Sequence, residues 1–213
     1  MVAGITDKPV TLLLTHGHYD HALGARWFPE SLLFPEDHGA FARYTGEDFR
    51  GQIAADAAGR GLSLPEDFLT RPLPPPLPLA EGEIGLGGLT ARVIRCLGHT
   101  PGSAVVYVPE RQLLLTGDDW NPCTWLFFPE ALPVRDYRRN MRAVLALPFR
   151  HVLCSHRRRL YGRDMPENFL RGLTDEALAA ARMVDLGYPQ HIRQAEQPRE
   201  QVLVFDWDKL DGQ

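Results

Sequence analysis

Apolar and polar positions along this 213-residue chain alternate between strand-like and helix-like periods. Val10-Thr11-Leu12-Leu13-Leu14-Thr15 is a short apolar, partly β-branched run that stops at a histidine cluster, and it reads as a buried strand feeding a loop. Past Pro35 the pattern predicts a helix over residues 36–44 and a second over 47–58. In the second, Phe49, Ile53 and Ala57 recur at i, i+4 and i+8, and Gly59 and Gly61 end the run. Five of residues 71–78 are proline; with φ fixed and donors missing, they can be neither helix nor central strand and are expected as an extended connector. A polyproline docking segment is the rarer use of such composition.

Downstream, residues 90–96, 104–108 and 112–116 read as strands, the last two joined by a tight turn at Pro109-Glu110-Arg111. Residues 136–147 form a predicted helix with Tyr137, Met141, Val144 and Leu145 on one face, and 151–155 return as a strand ending at His156. Helices are expected at 167–173 and 175–186, the second capped by Thr174 and closed by Gly187 before Pro189, with a closing strand at 202–205. Helices and strands interleave without a repeat, which favours an α/β layered fold in one domain, residues 1–213.

Composition narrows the function rather than the fold. With 23 basic against 27 acidic residues the net charge is −4, so no global field recruits nucleic acid or an anionic membrane, and a small-molecule substrate must be captured locally. The three cysteines, Cys96, Cys123 and Cys154, are widely spaced, and no signal-like segment opens the sequence, so a reducing, cytoplasmic setting is expected. No apolar run approaches the roughly 20 residues a membrane helix needs.

The chemistry concentrates at the ends of predicted strands. His16, His18, Asp20 and His21 lie within six residues, and neutral imidazole and carboxylate are the ligands that borderline divalent ions prefer. In extended backbone His16, His18 and Asp20 share a face, while a bend turns His21 toward a second point. Three further candidates follow later strands: His99 in Gly98-His99-Thr100-Pro101-Gly102-Ser103, Asp118 in Thr116-Gly117-Asp118, and His156 in Cys154-Ser155-His156. Glycine beside the first two lets the backbone approach an ion closely. Seven ligands are enough for two metals.

With H-x-H-x-D-H complete at residues 16–21 and followed in order by His99, Asp118 and His156, the chain resembles the metallo-β-lactamase superfamily. That group includes glyoxalase II-type thioesterases, lactonases, phosphodiesterases, nucleases and sulfur dioxygenases. The resemblance implies an αββα four-layer sandwich. It also implies that His16, His18 and His99 hold one metal, that Asp20, His21 and His156 hold a second, and that Asp118 bridges them. Zinc is the first choice, with iron or manganese compatible with the same ligands. The implied activity is hydrolysis of a small-molecule ester, thioester or lactone by a metal-bound hydroxide, with Asp20 as the catalytic carboxylate that orients it and passes a proton to the leaving group. Thr100-Pro101-Gly102-Ser103 is similar to the loop of thioesterase and lactonase members.

Relatives place further strands before the motif, whereas fifteen residues precede His16 here, so the N-terminal sheet is expected to be incomplete, its edge covered by another element or by a homodimer partner. Two alternatives stand beside the hydrolase: a mononuclear iron sulfur dioxygenase, and a truncated metal-binding protein without turnover. The remaining residues carry blander readings. His38, His151 and His191 fall outside the pattern and are expected as surface or packing residues, and Cys154 as a buried strand cysteine. Gly82, Gly85, Gly87 and Gly88 are turn glycines. Arg157-Arg158-Arg159 is either a solvated run or an anion selector. The run from Asp119 through Trp120, Asn121 and Trp125 to Phe127 and Phe128 is either a pocket wall or core, and Tyr161 is a weaker candidate donor to substrate.

Overall fold

A computed structural model describes residues 4–210 and divides into two compact units, Met1–Leu79 and Ala80–Gln213. In the first unit the apolar run after Val10 forms strand β1 (Leu12–Leu13), followed by a single helical turn, α1 (Tyr19–Ala22), and a 3-10 segment at Leu23–Trp27. Strand β2 (Ser31–Leu33) leads through a 3-10 turn at Pro35–Asp37 into α2 (His38–Thr45) and α3 (Glu47–Gly59), and β3 (Leu77–Pro78) closes the unit. The three strands pair in parallel in the order β1-β2-β3. Pro78 is tolerated because β3 is an edge strand, so the extended connector expected at residues 71–78 ends in a short strand.

Leu14, Ala22, Ala25, Leu33 and Phe41 form the core of this unit. The irregular stretch after α3 has little secondary structure to satisfy its backbone, and arginines take over that task. Arg26 Nη2 donates to the carbonyls of Asp67 (2.7 Å) and Phe68 (3.0 Å), and Arg50 Nη1 donates to Phe68 and Arg71. Desolvation by burial lowers the Arg26 pKa, opposed by the neighbouring Asp67 charge.

The second unit carries strands β4 (Gly82–Gly85), β5 (Thr90–Arg95), β6 (Ala104–Val108), β7 (Leu113–Leu115) and β8 (Cys123–Leu126), then helix α4 (Val134–Leu145). Strands β9 (His151–Leu153) and β10 (Tyr161–Gly162), helices α5 (Asp164–Gly172) and α6 (Asp175–Ala179), and strands β11 (Arg182–Met183), β12 (Ile192–Gln197) and β13 (Gln201–Asp206) follow. One sheet runs β10-β9-β7-β6-β5-β4, antiparallel except between β7 and β9. That parallel pair needs a long crossover, and α4 lies within it. The other sheet runs β11-β12-β13-β8. Tyr137, Met141, Val144 and Leu145 of α4 are buried, as their spacing predicts, among Trp120, Phe149, Phe169 and Phe205.

Two expectations need correction, and several strands go beyond the sequence reading. The helix expected at 36–44 begins as a 3-10 turn and becomes α-helical only at His38, because Pro35 opens the turn with its φ fixed. The helix expected at 175–186 ends at Ala179, since Arg182 and Met183 pair instead with Gln194 and Arg193 of β12. Strands β2, β4, β8, β10, β11 and β12 have no counterpart in the sequence reading; β12 carries polar residues on both sides and is stabilised by its neighbours rather than by propensity. Among the described residues no helix is long and apolar enough to cross a membrane.

Candidate metal centre

In the first unit, β1 ends and the chain turns sharply through His16, Gly17 and His18. Gly17 is there because the loop lies directly on the start of α2: a Cβ at this position would fall 2.6 Å from the backbone nitrogen of Phe41 and 2.9 Å from the carbonyl oxygen of Asp37. The Gly17 N–H donates to Asp37 Oδ2 at 2.9 Å, and Asp37 is fully buried. Sequence reasoning missed Asp37. One of two acids in the turn after Pro35, it looks like an ordinary helix-dipole residue, and only its burial reveals that it holds the loop.

His18 is extended (φ −70°, ψ 151°) and N-caps α1, its carbonyl accepting from the N–H groups of His21 (3.1 Å) and Ala22 (2.9 Å). The extended alternation expected across the motif therefore stops at His18, and a helical turn carries Asp20 and His21. That turn brings His21 back beside His16, with ring centroids 4.1 Å apart, while His16 and His18 meet edge-on at 4.7 Å. The ligand atoms of His16 lie within 4.8 Å of those of both His18 and His21. Asp20 Oδ2 is 3.5 Å from His21 Nε2, and the Asp20 side chain is the more exposed of the two. Behind them, the Tyr44 ring packs edge-on against His18 at 4.8 Å and against Phe49 at 5.1 Å.

In the second unit His99 follows β5 on a loop that closes on itself. The hydroxyls of Thr100 and Ser103 lie 2.9 Å apart, and the Thr100 N–H donates to Ser103 Oγ at 3.1 Å. The His99 ring is buried, and its Nδ1 is 2.7 Å from the carbonyl oxygen of Trp125. A carbonyl only accepts, so Nδ1 carries the proton and Nε2 keeps its lone pair for a metal. Asp118 follows β7 through Gly117, whose φ of 54° is left-handed. Its Oδ2 sits 3.2 Å from His156 Nε2 and 3.8 Å from His99 Nε2. One carboxylate oxygen thus reaches two imidazoles. His156 itself adopts φ 61°, an uncommon conformation for a residue with a Cβ.

Asp119, another residue whose role sequence reasoning did not find, is buried and accepts from the His99 backbone N–H at 3.3 Å, while its carbonyl accepts from the Tyr137 hydroxyl at 2.6 Å. Gly98 was expected to let the backbone approach an ion. What it admits is the Tyr137 ring, into whose Cδ2 a Cβ would run. Burial raises the Tyr137 hydroxyl well above its ordinary pKa, helped by nearby Cys96 and Asp119.

Of the other candidates, Tyr161 is a core residue, buried with its ring edge-on to Trp120 at 5.5 Å. Cys154 is buried, its thiol pushed up to about 11 chiefly by desolvation. Arg157, Arg158 and Arg159 are exposed, Arg157 donating to the His156 carbonyl and Arg159 lying over Tyr161. The aromatic run divides: Trp120 and Phe127 are core, and Trp125 is exposed. His38 is half-buried and 3.2 Å from the Leu33 carbonyl, whereas His151 and His191 are at the surface.

The donors in each unit, imidazole nitrogens with carboxylate oxygens beside them, have the chemistry that a borderline divalent ion takes. Comparison with known proteins agrees. The sequence model of the metallo-beta-lactamase superfamily matches residues 5–156. An acyl-coenzyme A thioesterase, MBLAC2 of Gallus gallus, is 27% identical over 155 residues, covering 68% of this chain and 53% of that protein. A probable metallo-hydrolase, YqgX of Bacillus subtilis (strain 168), is 26% identical over 115 residues, 52% of this chain and 49% of that protein. The chain thus spans about half the length of these curated relatives. Among solved structures, TTHA1623 in a di-iron-bound form superposes with TM-score 0.55 at 24% identity, covering 75% of each chain. A beta-lactamase domain protein from Burkholderia ambifaria does so with TM-score 0.60 at 23% identity, covering 81% of this chain and 56% of that one.

Proposed function

The chain belongs to the metallo-beta-lactamase superfamily, and from that premise we propose that it is a dinuclear metal-dependent hydrolase of small-molecule esters, thioesters or lactones. The proposed ligands are His16, His18 and His99 for one divalent ion and Asp20, His21 and His156 for the other, with Asp118 shared. The observation that supports this most is Asp118 Oδ2 within reach of both His99 Nε2 and His156 Nε2, as a shared carboxylate requires. The imidazoles of His16, His18 and His21, gathered in one turn of chain, support the other half.

When bound, divalent ions make water acidic enough to yield hydroxide near neutral pH and polarise a carbonyl oxygen. The remaining work falls to the protein. Asp20 is the carboxylate with the solvent access and the neighbouring imidazole to take a proton from water and return it to the departing sulfur or oxygen. Asp37 and Trp125 set the geometry, one through the Gly17 N–H and the other through His99 Nδ1. Zinc is the proposed metal, on the strength of the donor set, and iron is the alternative that the di-iron form of a similar structure keeps in view. The thioester branch of the substrate class draws on the acyl-coenzyme A thioesterase relative.

Elemental analysis of the purified protein, followed by a panel of an alkyl ester, an acyl thioester, a lactone and a phosphodiester, tests the reading. Two metals per chain and turnover of a carbonyl substrate, lost on chelation and restored by metal, are expected. Two bound metals with no turnover of any carbonyl substrate would overturn it.

A further inference from the structure

The edge strand β8 does two things at one residue. The backbone carbonyl of Trp125 holds His99, and its indole, 36% exposed, points out beside Phe127 and Phe128. The indole is fixed in place: its Nε1–H donates to Cys123 Sγ at 3.3 Å. Phe127 is fully buried and stacks on Phe128 at 4.6 Å, and Tyr188, 46% exposed, packs on both phenyl rings at 5.1 and 5.9 Å. Phe128 in turn meets the His99 ring edge-on at 5.9 Å. A chain of ring contacts therefore runs from the buried ring of a proposed metal ligand through half-buried Phe128 to two exposed ring systems.

Large exposed aromatics are costly to keep in water, and here they are oriented by specific contacts rather than left loose. Ring faces attract other flat π systems through offset or edge-on contact, beyond what area burial alone provides. We propose that Trp125, Phe128 and Tyr188 form the acyl-group platform of this enzyme, selecting substrates whose acyl part is a flat aromatic group over short or linear acyl chains. The inference rests on the hydrolase reading for its location, which the edge-on contact of Phe128 with the His99 ring ties to the proposed ligands. It names the acyl class that reading leaves open.

The test compares the wild type with Trp125→Ala and Tyr188→Ala; Tyr188 lies on an exposed loop, so its truncation leaves the fold intact even if that of Trp125 does not. Binding of 2-naphthoate is measured by calorimetry on the metal-loaded protein, alongside kcat/KM for acetyl, hexanoyl and 2-naphthoyl esters of one alcohol. Saturable naphthoate binding, weakened about tenfold or more in each variant, and a naphthoyl-to-hexanoyl ratio that falls by a similar factor are expected. Naphthoate binding equal in all three proteins, or a wild type that prefers hexanoyl, overturns the platform. If no ester is turned over yet naphthoate binding falls in both variants, the platform stands and the hydrolase reading fails.

Discussion

The Nδ1 of His99 faces the carbonyl oxygen of Trp125 at 2.7 Å, which determines the tautomer of a buried imidazole. Long-range 15N NMR of the metal-free protein at neutral pH is expected to show His99 as the Nδ1–H form. A signal from an Nε2–H tautomer would mean that the ring presents a donor, not a lone pair, toward Asp118, and would remove His99 from the ligand set.

Gly17→Ala places a methyl group against backbone atoms of Asp37 and Phe41 that cannot swing aside. A loss of about 1–3 kcal/mol in denaturant titration is expected, together with weaker metal uptake, because the displaced loop carries His16 and His18. Asp37→Ala should cost a similar amount, about 1–3 kcal/mol, by leaving the buried Gly17 N–H unmet. If Asp37→Ala lowers neither stability nor metal content, the carboxylate does not organise the loop.

Asp20→Asn keeps an oxygen donor but cannot carry a proton at neutral pH. A fall in kcat of about a hundredfold or more is expected for carbonyl substrates with poor leaving groups, and a smaller one for activated esters that need no proton on departure. Equal losses on both kinds of substrate would assign Asp20 to metal binding alone.

Stability should decline at alkaline pH through Cys96. Its thiol is fully buried, and desolvation, aided by the Asp119 charge, raises its pKa well above the ordinary value of 9.0. Above pH 9 the unfolded chain releases this proton while the folded protein retains it. The unfolded state then binds fewer protons, and stability falls as pH rises. Tyr137 adds the same trend above its ordinary value of 10.0. Thermal melts from pH 7 to 10 should show a shallower alkaline decline in Cys96→Ala than in the wild type; parallel curves would exclude the thiol as the source.

How much of this was legible from residues alone depended on whether a residue's role was local. The His16 to His21 motif and the later His99, Asp118 and His156 stand at the ends of apolar runs where ordinary packing has no use for them, so their chemistry was visible before any fold. The face of α4 was visible for the same reason: Tyr137, Met141 and Val144 follow the helical period. The residues that tighten the site were not visible. Asp37, Asp119 and the Trp125 carbonyl act on groups twenty or more positions away, through backbone contacts that leave no periodic trace. Strands β8 and β12 were hidden because one is four residues long and the other mostly polar, and each is held by backbone pairing with β13 rather than by a propensity of its own.

The left-handed backbone at His156 has one more consequence. Glycine would sit there more comfortably by about 1 kcal/mol, yet it would abolish the imidazole beside Asp118. At this position heat tolerance and chemistry pull in opposite directions, so a library of variants screened only for survival at high temperature should accumulate His156→Gly and discard the function it was built to preserve.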